Sequence, residues 1–162
     1  MNWLGEIIQK NVEPEDTVLD LGCGIMFPSD ELVCQSIVGV DIFPKYLDHI
    51  KNKFCTVRIG LDETDRFMNE SYDVVICIDV VEHLDKDLAL HLLYECRRIC
   101  RKKAIIFTPI EFNNNEQNEE GAWGLGINVY QEHQCLITSA ELEEGGYEVT
   151  SFNDGLLGIW SR

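Results

Sequence analysis

Apolar and polar positions divide the chain into short apolar runs separated by amphipathic stretches. Thr17 to Leu21 is a short apolar run that closes on Asp20-Leu21-Gly22-Cys23-Gly24, the pattern of a buried strand stopped by a tight turn. Ser36 to Asp41 reads as a second strand and Cys55 to Ile59 as a third. Asp73 to Ile78 is apolar on both faces, as a central parallel strand is, and Ala104 to Phe107 is a fifth strand stopped by Thr108-Pro109. The stretches between have helical character. One helix covers Asn2 to about Asn11 and is broken by Glu13-Pro14-Glu15-Asp16. Ser29 is an N-cap for a helix through about Cys34, and Pro44 opens one that runs to about Lys53. The longest runs from Asp85 to about Arg101, with Leu88, Leu92, Cys96 and Ile99 on one face. Thr138 and Glu141 form a capping box for a short helix. Tyr147 to Phe152, Asn153-Asp154-Gly155 and Leu156 to Trp160 read as a closing β-hairpin.

Strand–helix alternation followed by a terminal hairpin predicts an α/β fold. The expected architecture is a Rossmann-like, seven-stranded, mainly parallel sheet with a C-terminal antiparallel hairpin and helices on both faces. The 162 residues suit one domain, 1–162. Glu111 to His133 is the exception to the periodicity. It is rich in Asn, Glu and Gly, carries Trp123, Tyr130 and His133, and reads as a lid over a binding site.

Charge narrows the partners. A formal net charge of −16 repels phosphate backbones, so nucleic acid is disfavoured. The cluster Arg97, Arg98, Arg101, Lys102 and Lys103 reads as a solvated helix C-terminus. No apolar run approaches the ~20 residues of a membrane span. Trp3, Leu4, Ile7 and Ile8, interrupted by Gly5 and Glu6, suggest an amphipathic helix and not a signal peptide. Seven cysteines without a Cys-x-x-Cys pair indicate reduced thiols and a cytoplasmic protein.

The candidate chemistry lies at the strand ends. Asp20, Asp41, Asp62 and Asp79 each close a strand segment, on the edge where open α/β sheets bind ligands. Gly22 and Gly24 would let a ligand approach bare backbone. An acid about 20 residues past a glycine turn accepts ribose hydroxyls, and an acid further along that edge suits an adenine amino group. Acids in place of a phosphate nest suit a cofactor that is positively charged and lacks phosphate. S-adenosylmethionine has a sulfonium and an ammonium and meets that description. A dinucleotide would need a third glycine where Phe27 stands.

Val18-Leu19-Asp20-Leu21-Gly22-Cys23-Gly24 resembles the first motif of class I S-adenosylmethionine-dependent methyltransferases, and Gly39-Val40-Asp41 the second. Gly60-Leu61-Asp62 is similar to the adenine-contacting acid after the third strand. Ser71 to Leu84, with Asp79-Val80-Val81-Glu82-His83-Leu84, resembles the fourth-strand motif of the type 11/12 branch, and Thr138 to Val149 its closing helix and strand. The resemblance implies that Gly22 and Gly24 pass under the methionine and ribose portions and that Asp20 helps hold the ammonium. It places Asp41 on the ribose hydroxyls and Ile42 against the adenine. It sets Asp62 at the adenine amino group with Leu61 beside it, and Asp79 near the methionine part. Met26 departs from the small residue many members have there.

Methyl transfer is an in-line displacement, in which the enzyme mainly aligns donor and nucleophile and excludes water. Where the nucleophile must lose a proton, Glu82, His83 and His133 are the candidate bases. The expected acceptor is a small molecule, and the product S-adenosylhomocysteine. Trp123 and Tyr130 are candidate walls of its site. Two alternatives stand beside this expectation. One is a methyltransferase-like binding module that transfers nothing. In the other, Asp79, Glu82, His83 and His133 supply mixed oxygen and nitrogen ligands to a divalent cation. That pattern resembles metal-assisted 2′-O-methyltransferases of RNA ends and, in its first part, ubiquinone-pathway O-methyltransferases, which have Glu where this chain has Asp79. The net charge opposes RNA as acceptor, and the expected site contains no metal.

Overall fold

The apolar runs pair into one sheet. The computed structural model describes residues 2–152 and 154–162. Its strands are β1 (Thr17–Leu21), β2 (Ser36–Asp41), β3 (Cys55–Arg58), β4 (Tyr72–Ile78), β5 (Cys100–Pro109), β6 (Glu148–Phe152) and β7 (Gly155–Ser161), in the order β3-β2-β1-β4-β5-β7-β6. The pairings from β3 to β5 are parallel, whereas β7 runs antiparallel to both β5 and β6. The carboxyl ends of the five parallel strands therefore face one edge.

Helices cover both faces, which explains the unbroken apolar character of β4. On one face Leu19, Leu21, Val75 and Cys77 pack with Leu92, Leu93, Cys96 and Ile99 of a helix over Lys86–Ile99. On the other, Val18, Val74, Ile76 and Ile105 meet Leu4 and Ile8 of α1 (Trp3–Gln9). The helix on the first face is α3, since α2 (Pro44–Ile50) precedes it, and α4 (Ser139–Glu144) follows. The expected caps are made. Asp85 accepts from Leu88 N at 3.0 Å, and Thr138 and Glu141 close their capping box.

The expected seven-stranded sheet and its terminal hairpin are both present; the first helix ends at Gln9 rather than Asn11, and four other boundaries differ for reasons the structure shows. The helix expected from Ser29 to Cys34 is a single 3-10 turn, Ser29–Glu31. Ser29 does not cap it, because its hydroxyl turns inward to the Asp20 carboxylate. The chain leaves extended at Leu32, and Val33 N then donates to Gln9 Oε1 at 2.7 Å. The second helix stops at Ile50, before Lys53, because Lys53 N and Phe54 N both turn back to the Ile50 carbonyl. The long helix ends at Ile99, because Cys100 becomes extended and pairs with Tyr72. Strand β5 is longer than Ala104 to Phe107, because β7 runs beside it from Lys103 to Pro109. Asn153 of the expected turn lies outside the described residues.

The basic cluster is tied to acids at the opposite edge of the sheet. Arg101 reaches Asp73, which also accepts from Thr17 N at 3.0 Å, Lys102 reaches Asp16, and Arg98 pairs with Glu95. The Arg101 guanidinium holds the Asp73 carboxyl well below the usual range. All seven cysteines are unpaired, five of them buried. No helix among the described residues is long and apolar enough to cross a membrane.

The buried Tyr147 hydroxyl donates to the Leu93 carbonyl at 2.7 Å and ties the start of the hairpin to α3. Tyr147→Phe should lower the unfolding free energy by about 1 kcal/mol, read from urea denaturation. An unchanged midpoint would show that this bond does not hold the hairpin.

Candidate functional site

The site is built on the turn that ends β1. Gly22 N and Cys23 N both donate to the Val40 carbonyl, at 2.8 and 2.9 Å. The Asp41 carboxylate then takes Gly24 N on one oxygen at 2.9 Å and Phe43 N on the other at 2.7 Å. Gly22 has φ +73°, and a Cβ there would lie 2.4 Å from Val80 Cγ2. Gly24 has φ +53°, and a Cβ there would lie 2.9 Å from Trp123 Cη2. Neither position accommodates a side chain without displacement of its neighbour.

Two cavities open beside this turn. The first, of about 240 Å³, is lined by Asp41, Ile42, Leu61 and Asp62 at one end, with Asn128 and Tyr130 from the long loop. The second, of about 330 Å³, is lined by Gly24, Phe27, Glu82, Trp123 and His133. Gly22, Asp41, Asp79, His83 and Gln131 border both. The structure thus brings together all but one of the residues singled out from the sequence. The exception is Asp20, which lines neither cavity. It lies buried beneath the turn, against Ser29.

Burial without counter-ions shapes the electrostatics. Burial pushes the Asp20 carboxyl up to about 7 against the pull of Ser29, and Asp79 up to about 6. Burial also raises Asp41, and the amides of Phe43 and Gly24 oppose it. Glu82 is only 1% exposed; burial, then repulsion from Asp79, carries it to about 8 although Thr108 donates to it at 3.1 Å. Burial and the neighbouring His133 depress His83 to about 4, and burial depresses His133. The two imidazoles meet edge to face with centroids 4.7 Å apart, and the buried Nδ1 of each has no hydrogen-bond partner. One ligand atom from each of Glu82, His83 and His133 lies within 4.8 Å of the others, a spacing that a divalent cation could bridge.

The segment expected to be a lid is held by amides within it and just past its end. Gln134 N and Cys135 N donate to the Glu82 carbonyl at 2.7 and 3.2 Å, and Gln134 Nε2 to the His83 carbonyl at 2.7 Å. Gln117 and Asn128 exchange two bonds, of 2.7 and 3.1 Å. Trp123 rests edge-on against Tyr46 at 5.0 Å. Sequence reasoning missed Val80, Thr108, Asn128, Gln131 and Gln134. Asn128 and Gln131 stand in the aperiodic loop and Gln134 just beyond it, where only their polar character was a signal. Thr108 reaches Glu82 from within β5, and Val80 stands beneath Gly22 from the turn that follows β4.

A profile described as a methyltransferase domain matches residues 19–108. The chain belongs to this methyltransferase domain family, in the type 11 branch of the class I superfamily. No curated protein matches it. Among solved structures, a Pyrococcus horikoshii protein is 16% identical with a TM-score of 0.68, over 98% of this chain and 87% of that one. An Archaeoglobus fulgidus SAM-dependent methyltransferase is 16% identical with a TM-score of 0.66, over 98% and 94%. The magnesium protoporphyrin IX methyltransferase of Synechocystis, solved with bound SAH, is 16% identical with a TM-score of 0.66, over 98% and 80%.

The buried acids make stability depend on pH. Glu82 and Asp20 titrate near 8 and 7 in the folded chain, against ordinary values of 4.5 and 3.8. Within those intervals the folded form holds more protons than the unfolded form, so it loses stability as pH rises. His83 acts in the opposite sense between about 4 and its ordinary 6.5, and no further above that. Above about pH 6.5 the acids act unopposed by His83, Asp20 up to about 7 and Glu82 up to about 8, each at up to about 1.4 kcal/mol per pH unit. The melting temperature should therefore fall across that interval, and Glu82→Gln should flatten the fall. A flat or rising profile in the unmodified protein would contradict the burial of both acids.

Proposed function

We propose that this chain is an S-adenosylmethionine-dependent methyltransferase that acts on a small-molecule acceptor. The observation that carries the reading is the pair of cavities that meet at the glycine turn across Gly22, Asp41, Asp79, His83 and Gln131. One is lined for an adenosine and the other lies beneath the loop that would enclose an acceptor. The residues fit this cofactor and not a pyrophosphate. Bare backbone stands at Gly22 and Gly24, acids stand along the edge, and Phe27 occupies the place of a third glycine. When bound, S-adenosylmethionine supplies a methyl carbon activated by its sulfonium.

The chain's own residues align and enclose. Asp41 would hold the ribose hydroxyls with the lone pairs left free by Gly24 and Phe43. Ile42 and Leu61 would sandwich the adenine, and Asp62 would accept from its amino group. Asp79 would face the methionine portion, and Asp20 would act on it from beneath, through the turn that its position supports. Trp123 and Phe27 would exclude water from the second cavity. Glu82 would receive the acceptor's proton, with His83 and His133 as neutral hydrogen-bonding groups beside it.

Calorimetric titration should show saturable binding of S-adenosylmethionine and S-adenosylhomocysteine and none of NAD. Asp41→Ala should weaken that binding about tenfold or more, through loss of a buried acceptor. Unchanged affinity would place the cofactor elsewhere. Binding with no turnover across an acceptor screen would leave a binding module.

A second reading of the acceptor cavity is favoured by the two unpartnered Nδ1 atoms beside Glu82, in which a divalent cation activates the acceptor. Glu82→Gln separates the two readings. If Glu82 is the base, the variant loses about 100-fold in kcat with cofactor affinity kept, and chelator has no effect on the parent enzyme. If a cation is used, chelator abolishes turnover and added Mg²⁺ or Mn²⁺ restores it.

A further inference from the structure

The second cavity has a one-signed charge. Asp79 and Glu82 border it, and no lysine or arginine lines any of the three cavities among the described residues. The neighbouring opening, which shares His133, is lined by the exposed Glu116 and Glu132. Several of the chain's cations are engaged elsewhere, and Lys45, whose Nζ lies 6.0 Å from the Phe43 ring centroid and beside Gly126 of the loop, lines none of these cavities. Arg98, Arg101 and Lys102 pair with acids at the far edge of the sheet, and Lys86 is bound to Glu141. Arg58 reaches the Ile42 carbonyl at the adenosine end. The two imidazoles lie against each other, with centroids 4.7 Å apart, where two positive charges would repel.

An anionic acceptor would find no counter-ion here and would approach a surface of net charge −16. A cation would find two carboxyls without a partner of opposite charge, the buried Glu82 and the exposed Asp79, and would relieve their mutual repulsion. On the reading that this is the acceptor site of a methyltransferase, we propose that the acceptor is an amine that enters as its ammonium cation, guided by the acids of the lid. The bound ammonium favours the ionised form of Glu82, whose proton leaves to solvent as the cation enters, and in the step that follows one ammonium proton passes to the Glu82 carboxylate. The freed nitrogen lone pair forms the N–C bond to the methyl carbon. The C–S bond breaks with its electron pair on sulfur, which becomes the neutral thioether. The acids that attract the acceptor thus also hold the methylated ammonium, until the lid releases it.

The test uses three probes of one shape that differ in charge: phenethylamine, 2-phenylethanol and phenylacetate. Their ring suits the Phe27 and Trp123 walls. Each is titrated calorimetrically into protein saturated with S-adenosylhomocysteine. The amine should bind at least about tenfold tighter than the alcohol, with no heat from the carboxylate. Its affinity should fall several-fold as salt rises from about 50 to about 500 mM. Glu116→Lys and Glu132→Lys, both outside the reacting groups, should weaken the amine several-fold with S-adenosylhomocysteine affinity unchanged. Equal binding of amine and alcohol, preference for the carboxylate, or binding of none of the three overturns the proposal. So does alcohol binding that requires Mg²⁺ or Mn²⁺. If S-adenosylhomocysteine itself does not bind, the cofactor reading fails first and takes the amine with it.

Discussion

The Asp41 carboxylate is the interaction on which the site depends. One oxygen takes the Gly24 amide and the other the Phe43 amide, so a single side chain fixes the turn after β1 to the end of β2. The Val40 carbonyl adds two further bonds to the same turn. A glycine turn with φ of +73° and +53° has no intrinsic preference for one path. The clamp supplies that preference. It also leaves Asp41 at the border of both cavities, so the group that sets the turn also lines the space beside it.

Around this clamp the chain carries a concentration of acid that its interior does not neutralise. At the far edge of the sheet Asp73, Asp16 and Glu95 each have a basic partner. At the near edge Asp79 and Glu82 have none, and both are raised by burial. The two edges use the same residue types for different ends. One joins the chain to itself, and the other holds charge that only an incoming group can balance. An uncompensated buried charge is costly, and Asp20 beneath the turn and Glu82 beside it are both raised by burial.

The sheet was legible from sequence because parallel strands covered on both faces are continuous apolar runs, as Asp73 to Ile78 is. The acids and glycines of the site were legible because they close those runs. Local stop signals were less informative. Ser29 has the composition of an N-cap, yet its hydroxyl serves Asp20, and a sequence cannot show which partner a hydroxyl selects. The extent of β5 depended on β7, about fifty residues further on, and so was read short. Asn128 and Gln131 were hidden for a related reason. Their segment has no period, and its path is set by amide-to-backbone bonds such as Asn115 Nδ2 to the Gln131 carbonyl at 2.8 Å.

The mixed pairing of β5 has a consequence for how the molecule is made. Its parallel neighbour β4 precedes it in the chain, but its other neighbour, β7, follows every other strand of this sheet in chain order. Until β7 arrives, Ala104 to Phe107 present an apolar strand with one row of backbone groups unpaired, the kind of edge that recruits other chains. A nascent chain would therefore pass through a stage in which the half-sheet carrying the glycine turn is complete and its opposite border is adhesive. The hairpin removes that hazard by closing the border with a strand of opposite direction. Yield in the cell should accordingly be sensitive to changes in β7 that leave the cavities untouched.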